Sequence, residues 1–591
     1  MDRRLFTTIV LCMAILVGWQ VIGPKLFPDA FPKPRPVEPT AEGSKEPQVS
    51  KDGAGTKATA DAGKRRTGET SDTTGPATEA TAASAAAEGA SGAPRPPARP
   101  EREIVLENEV VRVTLSSRGA AVKSWVLKDP RFWVETASGR RQLDLVNVEG
   151  AQPYPLSTTF AELEWPADTD YEVVAQDAHS VRFATEQGGV RVEKTLRLDP
   201  THYHVALEIA VAGRTLTPAV HLPRAVREER RAKKKKGFFG RMGRVPDLTR
   251  PICAAGDDVE FFGFDEEEPS FSLEGARFTG IDERYFLVAL FQGAPVFEEG
   301  GSELPAEATA QARCLLRYET RERMESRLVL GPLAPGEHRR LTAFMGPKFS
   351  YLLGEYGRGL EDSIDYGWFG VISVVLLFIL NLFQGLVGNW GAAILLLTVT
   401  VKGLLFPLTT WSMRSMENMR RIQPKMTALK EKYGSDPQRF QQEMWKVYKE
   451  EGVSPFGGCL PMLLQFPIWV ALYRLILSTA ELYHAPFIAG WIDDLAAPEP
   501  GAVKILPILM GITMFVMQWM QPTPTTGDDT QMRLQKVMKY FMPPFFAFIM
   551  YGLPSGLTLY IFCNNLLSIG QQLWIRRRLS ARSEAAAAAT S

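Results

Sequence analysis

Hydrophobic and polar positions divide this chain into segments with different patterns. Residues 5–22 form an almost wholly apolar run behind Arg3 and Arg4. The run is long for a signal peptide, and no small-x-small cleavage site follows it. We therefore favour an uncleaved transmembrane anchor over 1–27, with its N-terminus in the cytoplasm, and keep a cleaved signal peptide as the alternative. Residues 28–100 are rich in Pro, Ala, Gly and Thr, which predicts a disordered linker.

Apolar and polar positions alternate in short runs over residues 101–345, for example at 110–115, 190–193 and 203–209. Gly, Pro and Asp separate these runs. A period of two residues is typical of half-buried antiparallel strands. The segment therefore predicts an all-β, sandwich-like domain, which would lie outside the cytoplasmic membrane because it follows an anchor whose N-terminus is inside.

Beyond residue 345 the pattern changes to that of a helical membrane protein. We predict an interfacial segment over 346–385, with an amphipathic helix at 350–365 lying on the membrane surface. A five-span core then follows over 386–579, and a short tail over 580–591. Its predicted spans lie near 386–408, 460–480, 503–520, 537–553 and 556–575.

Charge determines which loops face the cytoplasm. Residues 411–452 carry many Lys and Arg side chains, as do 521–540 and the tail. By contrast, 475–503 carries no Lys or Arg and has four acidic residues. The positive-inside rule places the basic segments in the cytoplasm and 483–502 outside. Six spans with both termini inside satisfy every loop. The apolar stretch 368–384 could itself be a span, but that would break the alternation, so we do not count it as one.

Composition excludes several classes of protein. Lys+Arg and Asp+Glu are each 67, for a formal net charge of zero, so direct nucleic-acid binding is not favoured. Five cysteines are too few for a disulfide scaffold, and Cys253 and Cys314 would pair only if the fold brings them together. The sequence has no GxxxxGK[ST], HExxH or GxSxG motif, and its six His show no metal spacing. We expect no enzymatic activity, catalytic residue, cofactor or metal.

A single lysine interrupts the apolar sequence of the first core span. Lys402 is the only charged residue between Tyr366 and Thr410. A central lysine costs about 2.5–3.5 kcal/mol to insert. One interpretation is that it extends to the cytoplasmic interface; the other is that it faces a water-filled cavity inside the bundle. The polar residues that favour such a hydrophilic groove are Thr398, Gln465, Tyr473, Gln518, Tyr560 and Asn564.

The basic segment 411–452 predicts a cytoplasmic hairpin of two helices. Asp436 and Pro437 are expected to be the N-cap and first residue of the second helix. A methionine stripe with basic neighbours is adaptable for varied apolar partners, although simple packing of the two helices explains it equally well. The candidate contact residues are Met416, Met419, Arg420 and Trp445. The basic run 230–236 is expected to be a solvated loop.

Several motifs of the membrane half resemble the YidC/Oxa/Alb family of membrane-protein insertases. They are Gly388-Asn-Trp-Gly, Arg421-Ile-Gln-Pro-Lys, Ser454-Pro-Phe-Gly-Gly-Cys-Leu-Pro, Gln465-Phe-Pro-Ile, Leu506-Pro-Ile-Leu-Met-Gly and Pro554-Ser-Gly-Leu. The order of anchor, linker, β domain and five spans resembles the Gram-negative form of this family. The family's groove cation is usually Arg, and Lys402 occupies the matching position. Thr398 matches the groove Thr, and Tyr560-Ile561 replaces the Tyr-Tyr pair of some members.

The resemblance implies a function and a set of partners. It implies an inner-membrane, multi-pass protein that inserts and helps fold nascent membrane proteins through a groove open to the cytoplasm, with its large domain in the periplasm. Its partners would be nascent chains, the lipid bilayer, Sec translocon components, and further the ribosome and the signal recognition particle receptor. Two other functions stay open: a scaffold for the Sec machinery, and, less favoured, a small-solute transporter with Lys402 in its pathway.

Overall fold

The structure, a computed structural model, describes residues 100–590 except 137–138, 151, 227–248, 257, 266, 299–300, 302–309, 435, 453–459 and 521–528. The predicted anchor, nearly all of the predicted linker and the basic run 230–236 lie outside these residues.

Nineteen strands are found among the described residues, all before residue 348. They are β1 (Glu103–Glu107), β2 (Val111–Ser116), β3 (Ala121–Leu127), β4 (Val134–Thr136), β5 (Gly139–Arg141), β6 (Thr158–Phe160), β7 (Glu172–Gln176), β8 (Ser180–Gln187), β9 (Val190–Leu198), β10 (His204–Ala212), β11 (Pro218–Ala225), β12 (Arg250–Ala255), β13 (Asp258–Phe261), β14 (Ser270–Glu274), β15 (Ala276–Asp282), β16 (Phe286–Gln292), β17 (Arg313–Thr320), β18 (Arg323–Val329) and β19 (His338–Pro347).

The strands form two main antiparallel sheets packed face to face. The larger has the order β13-β12-β15-β16-β19-β10-β9-β8-β7, and the smaller has the order β14-β17-β18-β11-β6. Strands β12 and β15 of the first sheet lie against β17 and β18 of the second. The alternation in the sequence is what the sandwich requires, since β9 buries every second residue from Val190 to Leu198. The prediction of a β-sandwich-like domain is confirmed.

A disulfide joins the two sheets. Cys253 on β12 and Cys314 on β17 are bonded, and both are fully buried. Strands β12 and β17 belong to different sheets, so this bond is a covalent link across the core of the sandwich. The sequence left this pairing open, and the fold settles it.

Helices make up most of the described chain after residue 348. They are α1 (Ser350–Tyr356), α2 (Gly370–Val387), α3 (Trp390–Arg421), α4 (Gln423–Tyr433), α5 (Pro437–Glu450), α6 (Leu460–Ser478), α7 (Ile505–Met520), α8 (Asp529–Met550) and α9 (Ser555–Thr590). Gly388 ends α2 in the left-handed conformation, with φ 66°. As predicted, Asp436 caps α5, accepting from the backbone N–H of Arg439, and Pro437 begins it.

The amphipathic helix predicted over 350–365 is wrong in length and in what it contacts. Helix α1 ends at Tyr356, and its buried residues are Leu352, Leu353 and Tyr356. The Tyr356 ring packs on Phe344 of β19, with ring centroids 4.9 Å apart. An apolar face pairs equally well with lipid or with a protein core, and here the β domain covers it.

Within the part of the chain that the structure describes, two helices are long and apolar enough to cross a membrane, at Gly367–Val387 and Trp390–Met419, and Ile505–Met520 is a shorter apolar helix. The first corresponds to the stretch that we did not count as a span. The structure separates it from α3 as a helix of its own. Its position relative to the bilayer, and with it the six-span count, stay predictions.

A series of ion pairs, from fully buried to partly exposed, joins the β domain and the helices. Lys348 Nζ lies 2.6 Å from Asp282 Oδ1, and both side chains are 2% exposed. Arg250 bonds to the same Asp282 and, at 3.1 Å, to Asp365 between α1 and α2. Arg474 of α6 lies 3.7 Å from Asp365. The buried charge of Asp282 is stable only when it is paired, so its partners Lys348 and Arg250, and through Arg250 Asp365, help to fix where the β domain meets the bundle.

The segment 479–504 closes the end of the bundle that faces the β domain. Glu499, 4% exposed, accepts from the backbone N–H groups of Ile505 and Leu506 at 2.9 and 2.8 Å and from Trp491 Nε1 at 2.6 Å. A carboxylate at this position satisfies the first N–H groups of α7. The Phe487 ring packs so closely on Gly391 that a Cβ there would lie 2.1 Å from it. We call 479–504 the outer cap.

Removing the disulfide should destabilise the β domain selectively. The bonded cysteines are 61 residues apart. A disulfide that closes a loop of that size adds about 4 kcal/mol to the free energy of unfolding. We expect the double variant Cys253→Ala, Cys314→Ala to lower the urea midpoint for hydrogen exchange in β12 and β17. The control is Cys563→Ala on α9. Equal midpoints in the double variant and the control would contradict the role of the bond.

A methyl group at position 391 should loosen the outer cap. Gly391→Ala forces Phe487 to move and should lower the free energy of unfolding by about 1–3 kcal/mol. We expect faster hydrogen exchange over 485–495 and a lower melting temperature. Gly403→Ala on the same helix is the matched control, because nothing lies within 4 Å of its Cβ. If both variants exchange alike, the close contact does not hold the cap.

Candidate functional site

Lys402 is held by a polar stripe on α9. Its Nζ donates a hydrogen bond of 2.7 Å to Ser568 Oγ, and Ser568 Oγ donates in turn to the Asn564 carbonyl oxygen at 2.7 Å. The lysine side chain is half-buried, while the neighbouring Leu404 is 79% exposed on the outer face of α3. Lys402 therefore points into the bundle and not along its outer surface.

A second polar layer lies one to two turns further along the same two helices. Gln571 Nε2 donates to Thr409 Oγ1 and Thr410 Oγ1, both at 2.9 Å. All three side chains are buried. Pro407 interrupts α3 next to this layer, which removes one backbone hydrogen bond from the helix. The α3–α9 contact thus carries polar groups along its length.

Helix α6 contributes to the same interior through Gln465, whose side chain donates to the Tyr560 hydroxyl on α9. Tyr560 is 1% exposed and Thr398 is equally buried. The Thr398 hydroxyl donates to the Ile394 carbonyl oxygen at 2.7 Å. Helix α7 adds Thr513, whose Oγ1 lies 3.5 Å from Asn565 Nδ2. We call this set the polar groove below, after the groove that the sequence predicts. Its members are Thr398, Lys402, Gln465, Thr513, Tyr560, Asn565, Ser568 and Gln571.

The structure brings some of the predicted groove residues together. Gln465 bonds directly to Tyr560. Lys402 bonds to Ser568 one turn from Asn564, and only the backbone carbonyl of Asn564 takes part in that arrangement. Tyr473 lies about 12 Å further along α6 than Gln465, and Arg284 of the β domain lies near its hydroxyl. Gln518 is half-buried near the end of α7, and no described hydrogen bond joins it to the groove.

Sequence reasoning missed Ser568, which bonds to Lys402, and also Thr409 and Thr410, which bond to Gln571 in the second polar layer. The signal for Ser568 is its spacing, because Tyr560, Asn564 and Ser568 recur every four residues and so share one face of α9. Thr409 and Thr410 carry no such signal, since nothing in a single sequence pairs them with Gln571.

The candidate contact residues of the hairpin fall on two different elements. Helix α3 continues to Arg421, so Met416, Met419 and Arg420 extend the Lys402 helix and are not part of a separate hairpin helix. Met419 packs with the cluster of Ile422 and Met426 against α5. The side chains of Met416 and Arg420 lie outside the described part. Trp445 on α5 is 50% exposed.

Carboxylates and histidines are grouped elsewhere. Among the described residues, the one group of three His, Cys, Asp or Glu side chains spaced to hold a metal is Asp199, His204 and Glu298 in the β domain. The polar groove offers hydroxyls, amides and one ammonium. Such a set can hydrate and attract a polar or acidic chain segment.

Comparisons with known proteins cover both halves of the chain. The family model described as YidC periplasmic domain matches residues 103–379, and the one described as 60Kd inner membrane protein matches residues 382–582. "Membrane protein insertase YidC" of Anaeromyxobacter dehalogenans (strain 2CP-C) is 38% identical over 607 residues, 99% of each chain. The protein of the same name from Haemophilus influenzae (strain Rd) is 50% identical over 246 residues, 41% of this chain and 44% of that protein.

Solved structures are similar at lower identity. A crystal structure of an active YidC insertase covers 80% of this chain and 92% of its own, with 19% identity and a TM-score of 0.33. A putative aldose 1-epimerase from Escherichia coli covers 42% of this chain and 99% of its own, with 10% identity and a TM-score of 0.25. The two family models and the full-length relative account for both the β domain and the helical half: this chain belongs to the YidC family of membrane protein insertases.

Proposed function

We propose that this chain inserts nascent proteins into the bacterial inner membrane and helps them fold, through the polar groove and without enzymatic chemistry. Its relatives carry the name of membrane protein insertase, and its family is one of inner-membrane proteins with a periplasmic domain. The observation that carries the mechanism is Lys402, a cation inside a bundle and bonded to a polar stripe.

The groove would lower the barrier to moving a short hydrophilic segment across the membrane. An isolated polar group in hydrocarbon costs several kcal/mol. Hydroxyls and amides such as Ser568, Gln571 and Gln465 can take the place of part of its water. An acidic group about 8–10 Å from the Lys402 ammonium gains about 2 kcal/mol at an effective dielectric constant of about 20.

The driving force comes from the substrate and the membrane. Strongly apolar residues gain about 0.3–0.6 kcal/mol each on entering the bilayer. The membrane potential adds about 2.3 kcal/mol per charge per 100 mV and favours outward movement of an acidic tail. A span of about 20 residues therefore supplies several kcal/mol without nucleotide hydrolysis.

The orientation that suits this mechanism has six spans with both termini in the cytoplasm. In it the outer cap and β domain face the periplasm, and the α4–α5 hairpin faces the cytoplasm. The hairpin would receive substrates or partners, with exposed Trp445 as a contact. Sec translocon components, the ribosome and the signal recognition particle receptor are proposed partners. Helix α2 would lie at the outer interface and add no span.

The rate of substrate insertion should depend on the positive charge at position 402. We expect Lys402→Met to slow insertion roughly tenfold, because the groove loses about 1–2 kcal/mol of attraction for an acidic segment. Lys402→Arg should retain most activity because it keeps the charge. The assay reconstitutes the protein in liposomes and scores protease protection of a single-span substrate with a short acidic external tail.

Lys504→Met is the matched control for the charge experiment. Lys504 lies at the outer end of the bundle, where its Nζ donates to the Tyr551 carbonyl oxygen. We expect the Lys504→Met variant to insert substrate at the rate of the wild type. A scaffold would leave all three variants equal to one another. A transporter would instead show solute flux in substrate-free liposomes that falls with Lys402→Met.

The orientation of α2 can be measured separately. Val371 and Leu386, near its two ends, are 83% and 72% exposed. In a variant with Cys12, Cys459 and Cys563 replaced by Ser, we expect both Val371→Cys and Leu386→Cys to react with a membrane-impermeant maleimide added outside spheroplasts. Trp445→Cys should react only after lysis. Labelling of one α2 end from each side would instead make α2 a span.

A further inference from the structure

A cluster of ionisable side chains in the β domain has no part in the proposed insertion mechanism. Asp199 follows β9, His204 begins β10 and Glu298 follows β16. One ligand atom from each lies within 4.8 Å of the others. His204 Nε2 is 2.8 Å from Glu298 Oε1 and 4.0 Å from Asp199 Oδ2. Three potential ligands from separate segments thus converge on one point.

Neighbouring groups orient each of these ligands. Asp199 Oδ1 accepts from the backbone N–H groups of Thr201 and His202, at 2.8 and 2.7 Å, which leaves Oδ2 directed at His204. Glu298 Oε2 accepts from the Arg340 guanidinium, which leaves Oε1 directed at the same nitrogen. Outer contacts that aim one free oxygen or nitrogen of each residue are typical of metal sites.

The environment of His204 also suits a ligand. The side chain is 1% exposed, and its Nδ1 lies 3.1 Å from the Tyr356 hydroxyl. The Phe297 ring stacks on His202 with centroids 4.5 Å apart and shields one side of the cluster.

We propose that Asp199, His204 and Glu298 bind one divalent transition-metal ion, best matched by Zn²⁺. The ligands would be Asp199 Oδ2, His204 Nε2 and Glu298 Oε1, with water completing a tetrahedron. Zn–N and Zn–O bonds of about 2.0–2.2 Å place ligand atoms about 3.3 Å apart. The His204–Glu298 pair therefore opens slightly and Asp199 moves closer. A nitrogen and two carboxylates favour this class of ion over Mg²⁺ or Ca²⁺, which prefer oxygen ligands alone.

Metal binding would tie together three parts of the protein. It would join the β9–β10 turn to the segment after β16 and, through Tyr356, to helix α1, which leads into the membrane half. Arg340 offsets one of the two carboxylate charges, so we expect moderate affinity and a site that exchanges its metal. The spacing of ligands along the sequence hides this site, because Glu298 is far from Asp199 and His204.

The test is a Zn²⁺ titration of the full chain, purified in detergent, freed of any affinity tag and stripped with a chelator. We expect one Zn²⁺ per chain, measured by competition with a chromophoric chelator. His204→Ala and Glu298→Gln should each weaken Zn²⁺ binding at least about tenfold. Replacing even a residue that only orients a metal ligand typically lowers metal affinity by about 10–100-fold. The control is His338→Ala, because His338 lies 3.8 Å from Glu208 in an exposed His–Glu pair.

Co²⁺ gives a readout that does not depend on stability. The wild type should show the visible absorption of a four-coordinate nitrogen and oxygen site, and Glu298→Gln should lose it while keeping the metal-free melting temperature. Failure of the wild type to bind one Zn²⁺, or retention of wild-type affinity in both ligand variants, would show that His204 and Glu298 form only a hydrogen-bonded pair. Loss of Zn²⁺ binding in His338→Ala would show that the metal binds at a different site from the one proposed.

Discussion

An ammonium group among apolar helices must have hydrogen-bond partners, and this requirement organises the bundle. Lys402 satisfies it with Ser568. That bond fixes which face of α9 meets α3 and so brings Asn564 and Gln571 to the same side. Gln571 bonds to Thr409 and Thr410, and Gln465 bonds to Tyr560, so these buried polar groups have partners within the bundle. The outward faces can then remain apolar, as Leu404 does, without any loss of polarity inside.

The β domain is tied to this bundle through charges as well as apolar contacts. Asp282 is shared by Lys348 and Arg250, and Arg250 extends the series to Asp365. Each of these groups would be costly to bury alone, so none can leave without the others. Glu481 adds a link by accepting from the Ser350 backbone N–H at 2.8 Å. The junction therefore behaves as a specific interface, whereas a tethered domain would move freely against the helices.

Local patterns predicted the elements well and their partners poorly. Alternation predicted the sandwich, the residues at 436–437 predicted the start of α5, and the motifs identified the family. The apolar face of 350–365 was assigned to lipid because the pattern is the same whichever surface covers it. Tyr473 was grouped with Gln465 although one helix carries them at different depths. The metal cluster and the disulfide depend on residues far apart in the chain, and a single sequence holds no signal for such contacts.

The outer cap also has a mechanical consequence. It holds the ends of α3, α7 and α9 that face the β domain, through Phe487 on Gly391, Glu499 on α7 and the contact of Ser555 with Ala497. Helix α3 is 32 residues long, so it extends about 48 Å from this attachment. The cap therefore fixes one end of each helix, and the opposite end moves furthest when the helix tilts. A tilt of about 5° moves the far end of α3 by about 4 Å, whereas the end held by the cap hardly moves.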